Sequence, residues 1–135
     1  MAASAQLGRI CCVEDEPDVC FILELVLGQM GGLIVETYAN GAEALEKAPM
    51  FNPDLIILDV LMPGIDGIET FKRMRQIPML ATTPVILMTA RVMPYESVAY
   101  RSLDVAAIIA KPFDPLSLPD QIRAAWQTAN GLPQG

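Results

Sequence analysis

The sequence predicts a doubly wound α/β fold, (βα)5, with five parallel strands and helices on both faces of the sheet. Three observations carry this. Five short apolar runs recur along the chain: Arg9 to Val13, Leu33 to Tyr38, Asp54 to Leu58, Pro84 to Met88 and Ala106 to Ala110. Longer stretches with helical signals separate them, and strands alternating with helices demand a parallel sheet with both faces covered. A polar residue capable of chemistry follows four of the five runs, as expected where strands end at a common rim.

Each element has its own justification. The first run, Ile10-Cys11-Cys12-Val13, is apolar throughout, as a strand buried on both faces should be. Val19, Ile22, Leu23, Val26 and Met30 then share the spacing of one helix face, and Gly31-Gly32 ends that helix before the second run. Gly28, Gly31 and Gly32 precede a strand instead of following one, so they read as helix termination and not as a phosphate loop. Asn40-Gly41 opens a helix over Ala42 to Ala48. After the third run, Pro63-Gly64 forms a turn and Asp66 is an N-cap for Ile68 to Arg75, with Ile68, Phe71 and Met74 facing inward. In the fourth connection, Met93 to Leu103, Tyr95, Val98 and Ser102 share a face. Asp114 followed by Pro115 reads as a cap and first-turn proline for a last helix through Trp126. The expected organisation is one domain over 9–128, a flexible segment at 1–8 and a short tail at 129–135.

Composition narrows the function. The 135 residues are enough for one domain with a real core, and 53% are apolar, so the chain should fold. A formal charge of −7 argues against nucleic acid or anionic lipid as the main partner. Met1 to Gly8 lack the basic and apolar parts of a signal peptide, and no run approaches the ~20 apolar residues of a membrane span, so a cytoplasmic protein is expected. Cys11, Cys12 and Cys20 form no CxxC or Cys/His cluster and read as small hydrophobes. With no histidine at all, His-based triads, His metal sites and phosphohistidine on this chain are excluded.

The strand ends hold the chemistry. Leu55-Ile56-Ile57-Leu58 runs straight into Asp59, and a carboxylate at the edge of a core is costly without partners. Glu14 and Asp15 follow the first run, Thr89 the fourth and Lys111 the fifth, so all converge with Asp59 on one rim. Clustered carboxylates repel unless a cation neutralises them, and oxygen ligands with open positions suit Mg²⁺. An aspartate can also act as a nucleophile and form an acyl phosphate, with lysine offsetting phosphoryl charge.

VEDE (13–16), LDVLMPGIDG (58–67), MTA (88–90) and KPF (111–113), in this order, resemble the response-regulator receiver domain of two-component signalling. The resemblance covers about Arg9 to Trp126 and implies the CheY-like, flavodoxin-like strand order 2-1-3-4-5. By position, Asp59 resembles the phosphoacceptor, Asp15 a direct Mg²⁺ ligand, Glu14 its water-mediated neighbour and Leu61 a ligand through its backbone carbonyl. Thr89 resembles the hydroxyl that moves to a phosphoryl oxygen, small Ala90 leaves that group room, and Lys111 resembles the ammonium that pairs with it, ahead of a cis bond to Pro112. The resemblance implies a histidine kinase or histidine phosphotransfer protein as donor and a downstream protein as target. It describes a signalling protein that catalyses its own phosphorylation and dephosphorylation, not an enzyme with a separate substrate. An effector and a phosphorelay intermediate would share every motif quoted.

Some positions depart from the family. Ile108 stands where a Tyr or Phe switch is usual, Asp104 where glycine commonly ends the preceding helix, and Glu14 where Asp is commoner. Ala106-Ala107-Ile108 lacks the charges by which transcription-factor receivers pair. Two other readings compete. A haloacid-dehalogenase-like phosphatase places a second Asp two residues after its nucleophile, and Leu61 occupies that position. A phosphorylation-independent interaction module with a receiver fold has Ile108 in its favour and the retained chemical groups against it.

Overall fold

The computed structural model describes residues 6–62, 64–90 and 103–131. Its strands are β1 (Arg9–Val13), β2 (Ile34–Tyr38), β3 (Leu55–Asp59), β4 (Val85–Thr89) and β5 (Ala107–Ala110). They form one sheet in the order β2-β1-β3-β4-β5, and every neighbouring pair is parallel. The expected fold and strand order are both present. Helices α1 (Pro17–Leu23), α2 (Gly41–Phe51), α3 (Gly67–Met74) and α4 (Leu118–Ala129) lie in the connections or follow the last strand. The fourth connection, with Tyr95, Val98 and Ser102, lies outside the described residues for most of its length.

Period-two alternation divides the core into two layers. Ile10, Cys12, Ile57, Ile86, Met88 and Ile109 face one side, where they meet Leu23, Leu27, Ile122 and Trp126. Cys11, Val13, Ile56, Leu58, Val85 and Leu87 face the other, against Ala44, Ala48, Phe51, Phe71 and Met74. Every residue of β3 and β4 is buried, which explains why these runs are continuously apolar rather than alternating. Cys11 and Cys12 are indeed small core residues, whereas Cys20 is only half-buried and donates its thiol to the Glu14 carbonyl at 3.3 Å.

Several boundaries differ from expectation for local reasons. Pro84 has no N–H for the ladder, so β4 begins at Val85, while the Pro84 carbonyl still accepts from Ile56. Asp54 spends its carboxylate on the N–H groups of Gly8 and Arg9, at 2.9 and 2.8 Å, and β3 starts one residue later. Both β3 and β4 run one residue further, so Asp59 and Thr89 are the last residues of their strands. The helix of α1 continues as π-helical turns over Glu24–Gln29, and Gly32, at φ 75°, ends it with bonds to the Gly28 and Leu27 carbonyls from Gly32 and Leu33.

The last helix needs a larger correction. Asp114 does not cap it: the Asp114 carboxylate accepts from Leu116 at 3.1 Å and its carbonyl from Ser117 at 3.2 Å and Leu118 at 3.1 Å. Those bonds close a separate turn that contains Pro115. The helix begins at Leu118, with Pro119 as its first-turn proline, and runs to Ala129. Asp66 and Asn40 are true N-caps, each accepting from the backbone N–H three residues on. Asp104 does not take a left-handed conformation; among the described non-glycine residues only Asn52 has positive φ. No helix among the described residues is long and apolar enough to cross a membrane.

The start of α3 fixes the end of β3. The Gly67 N–H donates to the Val60 carbonyl at 2.9 Å. A Cβ on Gly67 would strike the Asp59 carbonyl oxygen and lie 2.7 Å from Val60 Cα. Gly67→Ala is therefore expected to lower stability by about 1–3 kcal/mol, because backbone must shift to admit the methyl group. Urea denaturation checks this, and wild-type stability in the variant would contradict it.

Candidate phosphoacceptor site

The carboxyl ends of β1, β3 and β5 bring three acids to one lysine. Lys111, just past β5, has its Nζ 2.9 Å from Glu14 Oε1, 3.3 Å from Glu16 Oε1 and 3.4 Å from Asp59 Oδ2. The adjoining Lys111–Pro112 bond is cis. Asp59 Oδ1 accepts from the Leu61 N–H at 3.3 Å, and Glu14 Oε2 accepts from the Glu16 N–H at 3.1 Å. Parallel pairing of Asp59 with Met88 places Thr89 one residue further along β4, where it is buried. Carboxylate oxygens of Glu14, Asp15 and Asp59 all lie within 4.8 Å of one another.

Burial makes this arrangement electrostatically tense. Glu14 and Asp59 are almost wholly enclosed, with side chains 2% and 4% exposed. Loss of water pushes Glu14 up to about 7, against the pull of its Lys111 hydrogen bond. The same burial raises Asp59, and again Lys111 opposes it. Burial alone would lower Lys111, but its bond to Glu14 and the adjacent charges outweigh that and raise it. The ammonium therefore stays charged and carries the local balance.

The site fits a hard divalent cation by its donor chemistry. Three carboxylates from two strand ends supply oxygen ligands. Both oxygens of Glu14 already accept hydrogen bonds, from Lys111 and from Glu16, whereas Asp15 is exposed to solvent. That difference suits Asp15 better for direct contact and Glu14 for contact through water. A cavity of about 420 Å³ opens beside these groups, lined by Glu16, Val19, Leu61, Ala90, Lys111 and Phe113 among others.

The structure thus brings Glu14, Asp15, Asp59, Leu61, Thr89 and Lys111 to one rim. It adds one residue that motif reasoning passed over. Glu16, the third acid of VEDE, pairs with Lys111, and the only sequence signal for it was another carboxylate directly behind the acidic pair. Ile108 is half-buried and packs in the same layer as Leu103 and Val105.

Comparison with known proteins agrees with this geometry. A family model described as the response regulator receiver domain matches residues 10–123. The chain is 34% identical over 116 residues to the alkaline phosphatase synthesis transcriptional regulatory protein PhoP of Bacillus subtilis, covering 86% of this chain and 47% of that protein. It is 38% identical over 118 residues to the response regulator ArlR of Staphylococcus aureus, covering 87% of this chain and 52% of the relative. The chain spans about half the length of these curated relatives. A solved structure of the chemotaxis protein CheY4 from Vibrio cholerae superposes with a TM-score of 0.82 at 29% identity, covering 89% of this chain and 99% of that one. The chain belongs to the receiver-domain family of response regulators, the proteins of two-component signalling.

Two substitutions should move stability in opposite directions when metal is chelated at mildly alkaline pH. Asp59→Asn removes a charge whose burial is unfavourable and is expected to raise the melting temperature. Lys111→Met leaves Glu14 and Asp59 without their cation and is expected to cost about 2–4 kcal/mol. Thermal and urea denaturation of both variants check the signs. A destabilised Asp59→Asn or an unaffected Lys111→Met would contradict the charge balance described here.

Proposed function

We propose that this receiver takes a phosphoryl group onto Asp59, with Mg²⁺ bound at the acidic cluster, and signals through protein contacts. The observation that carries the reading is the ammonium of Lys111 beside Asp59 at the end of a fully buried strand, with Glu14 and Asp15 adjoining. Asp15 would hold the metal directly, with Asp59 and the Leu61 carbonyl, and Glu14 through water. Bound there, Mg²⁺ supplies positive charge beside the transferring phosphoryl oxygens and offsets the clustered carboxylates.

The donor in this reading is the phosphohistidine of a histidine kinase or histidine phosphotransfer protein. An Asp59 carboxylate oxygen bonds to phosphorus as the P–N bond breaks. The imidazole, already protonated on its other nitrogen, takes the electron pair and leaves neutral. No proton has to be removed from Asp59, so its ionised form is the reactive one. Lys111 stabilises negative charge on the phosphoryl oxygens, and the Thr89 hydroxyl donates to one of them. Water hydrolyses the acyl phosphate to reset the protein, so the chain acts on itself and a downstream protein reads the state. Ile108, with no ring to swing, transmits less of the Thr89 movement than an aromatic residue would. The sequence offers a second carrier, the segment from Arg91 to Glu96, where Pro94 restricts the chain and Tyr95 supplies another aromatic; it lies outside the described residues.

Incubation with Mg²⁺ and acetyl phosphate or phosphoramidate, followed by intact-mass measurement, tests the assignment. Wild type is expected to gain one phosphoryl group and Asp59→Asn none. Comparable incorporation in the variant would overturn the role of Asp59, and a wild type that never labels would favour a phosphorylation-independent interaction module.

The metal roles have a separate test. Asp15→Asn should weaken Mg²⁺ binding in calorimetry far more than Glu14→Gln, since one loses a direct ligand and the other a water-held contact. Equal losses would show the two roles to be misassigned.

A further inference from the structure

Among the described residues Lys111 has three carboxylate partners, and they are not equivalent. Glu14 and Asp59 belong to the triplet whose oxygens cluster within 4.8 Å; Glu16 does not. A divalent cation held by that triplet competes with Lys111 for the carboxylates of Glu14 and Asp59 and repels it. Only Glu16 is left outside the competition. Its side chain is 62% exposed, reaches Nζ at 3.3 Å and lines the cavity beside Asp59 and Leu61.

We propose that Glu16 is a positioning residue for Lys111, holding its ammonium at the cavity mouth once a cation occupies the acidic cluster. This rests on the phosphoacceptor reading above and adds a group to it. Without the cation, Glu14 is the nearest partner, and Glu16 is dispensable to Lys111. With the cation bound, the tether keeps the ammonium near Asp59, so that it does not swing into water as the phosphoryl group arrives. Glu16 touches no reacting atom in this role.

The side chain can be removed without touching the start of α1. Glu16 is the N-cap of that helix, yet its side chain makes no capping hydrogen bond. Its backbone supplies the local contacts: the N–H donates to Glu14 Oε2, and the carbonyl accepts from Val19 and Cys20, both at 3.1 Å.

The test has two readouts. The first is the Lys111 ammonium resonance in ¹⁵N NMR at low temperature, visible while its protons are held away from exchange. It is expected in wild type with and without Mg²⁺, and in Glu16→Ala without Mg²⁺, but to vanish from Glu16→Ala when Mg²⁺ is added. The second is labelling by acetyl phosphate, in which an Asp59 oxygen bonds to phosphorus and acetate leaves with the electron pair. At saturating Mg²⁺ and donor, Glu16→Ala should label about fivefold more slowly, the scale of one exposed ion pair. Its Mg²⁺ half-saturation should match wild type. Glu16→Gln, whose amide oxygen still accepts from Nζ, should fall between the two. A resonance that persists in Glu16→Ala with Mg²⁺, or is already lost without it, overturns the tether, as does an unchanged labelling rate. If wild type fails to label, or Asp59→Asn labels equally, the phosphoacceptor reading fails and the tether with it. Normal labelling in Glu16→Ala beside a silent Asp59→Asn overturns the tether alone.

Discussion

The ammonium of Lys111 is the charge on which the rim depends. Two carboxylates sit almost fully enclosed at the ends of β1 and β3, and each would be costly there alone. One cation spanning both, with Glu16 added, lets the strands end in acids without unravelling. The balance is incomplete, since among the described residues three carboxylates pair with this one ammonium and Asp15 adds a fourth negative group beside them. Burial keeps Glu14 and Asp59 raised against the pull of Lys111, and the shortfall of positive charge leaves the cluster receptive to more.

The rest of the fold delivers these groups to one place. Parallel pairing of β1 with β3 and β3 with β4 sets the heights of Glu14, Asp59 and Thr89 along the sheet. The two-sided core makes that register unforgiving, because a one-residue slip would exchange the layers that Ile57 and Leu58 pack against. At the other end of the sheet, Arg75 donates to the carbonyls of Leu80, Thr83 and Asp104 at 2.9, 2.7 and 3.2 Å, joining the chain before β4 to the chain before β5. Its guanidinium also lies over the Phe71 ring. The sheet is thus held at its amino-terminal edge by a cation on carbonyls and at its carboxyl-terminal edge by a cation on carboxylates.

Much of this arrangement is legible in the sequence itself. Continuous apolar runs identify β1, β3 and β4 as strands buried on both faces, and all five strands lie within a residue of the expected bounds. Polar residues at their carboxyl ends located the rim, and the motif order supplied the strand order. What stayed hidden depends on contacts between distant segments or on backbone bonds within a turn. Asp54 looks like a strand residue until its bonds to Gly8 and Arg9 are seen. Asp114-Pro115 has the chemistry of a helix start, and only the turn closed on the Asp114 carbonyl moves that start to Leu118. The π-helical turns after Leu23 leave no mark in a pattern of apolar spacing, and Glu16 looks like one more acid on a helix terminus until Lys111 arrives from 95 residues away.

The central claim, that the buried end of β3 presents a nucleophile, is open to a chemical test that needs no substitution. An acyl phosphate is reduced by borohydride, whereas a phosphate ester or phosphoramidate is not converted in this way. Protein incubated with acetyl phosphate and Mg²⁺, reduced with borohydride and digested should carry homoserine in place of Asp59 by peptide mass spectrometry. Homoserine at Asp15 or another acid, with Asp59 unmodified, would contradict the account.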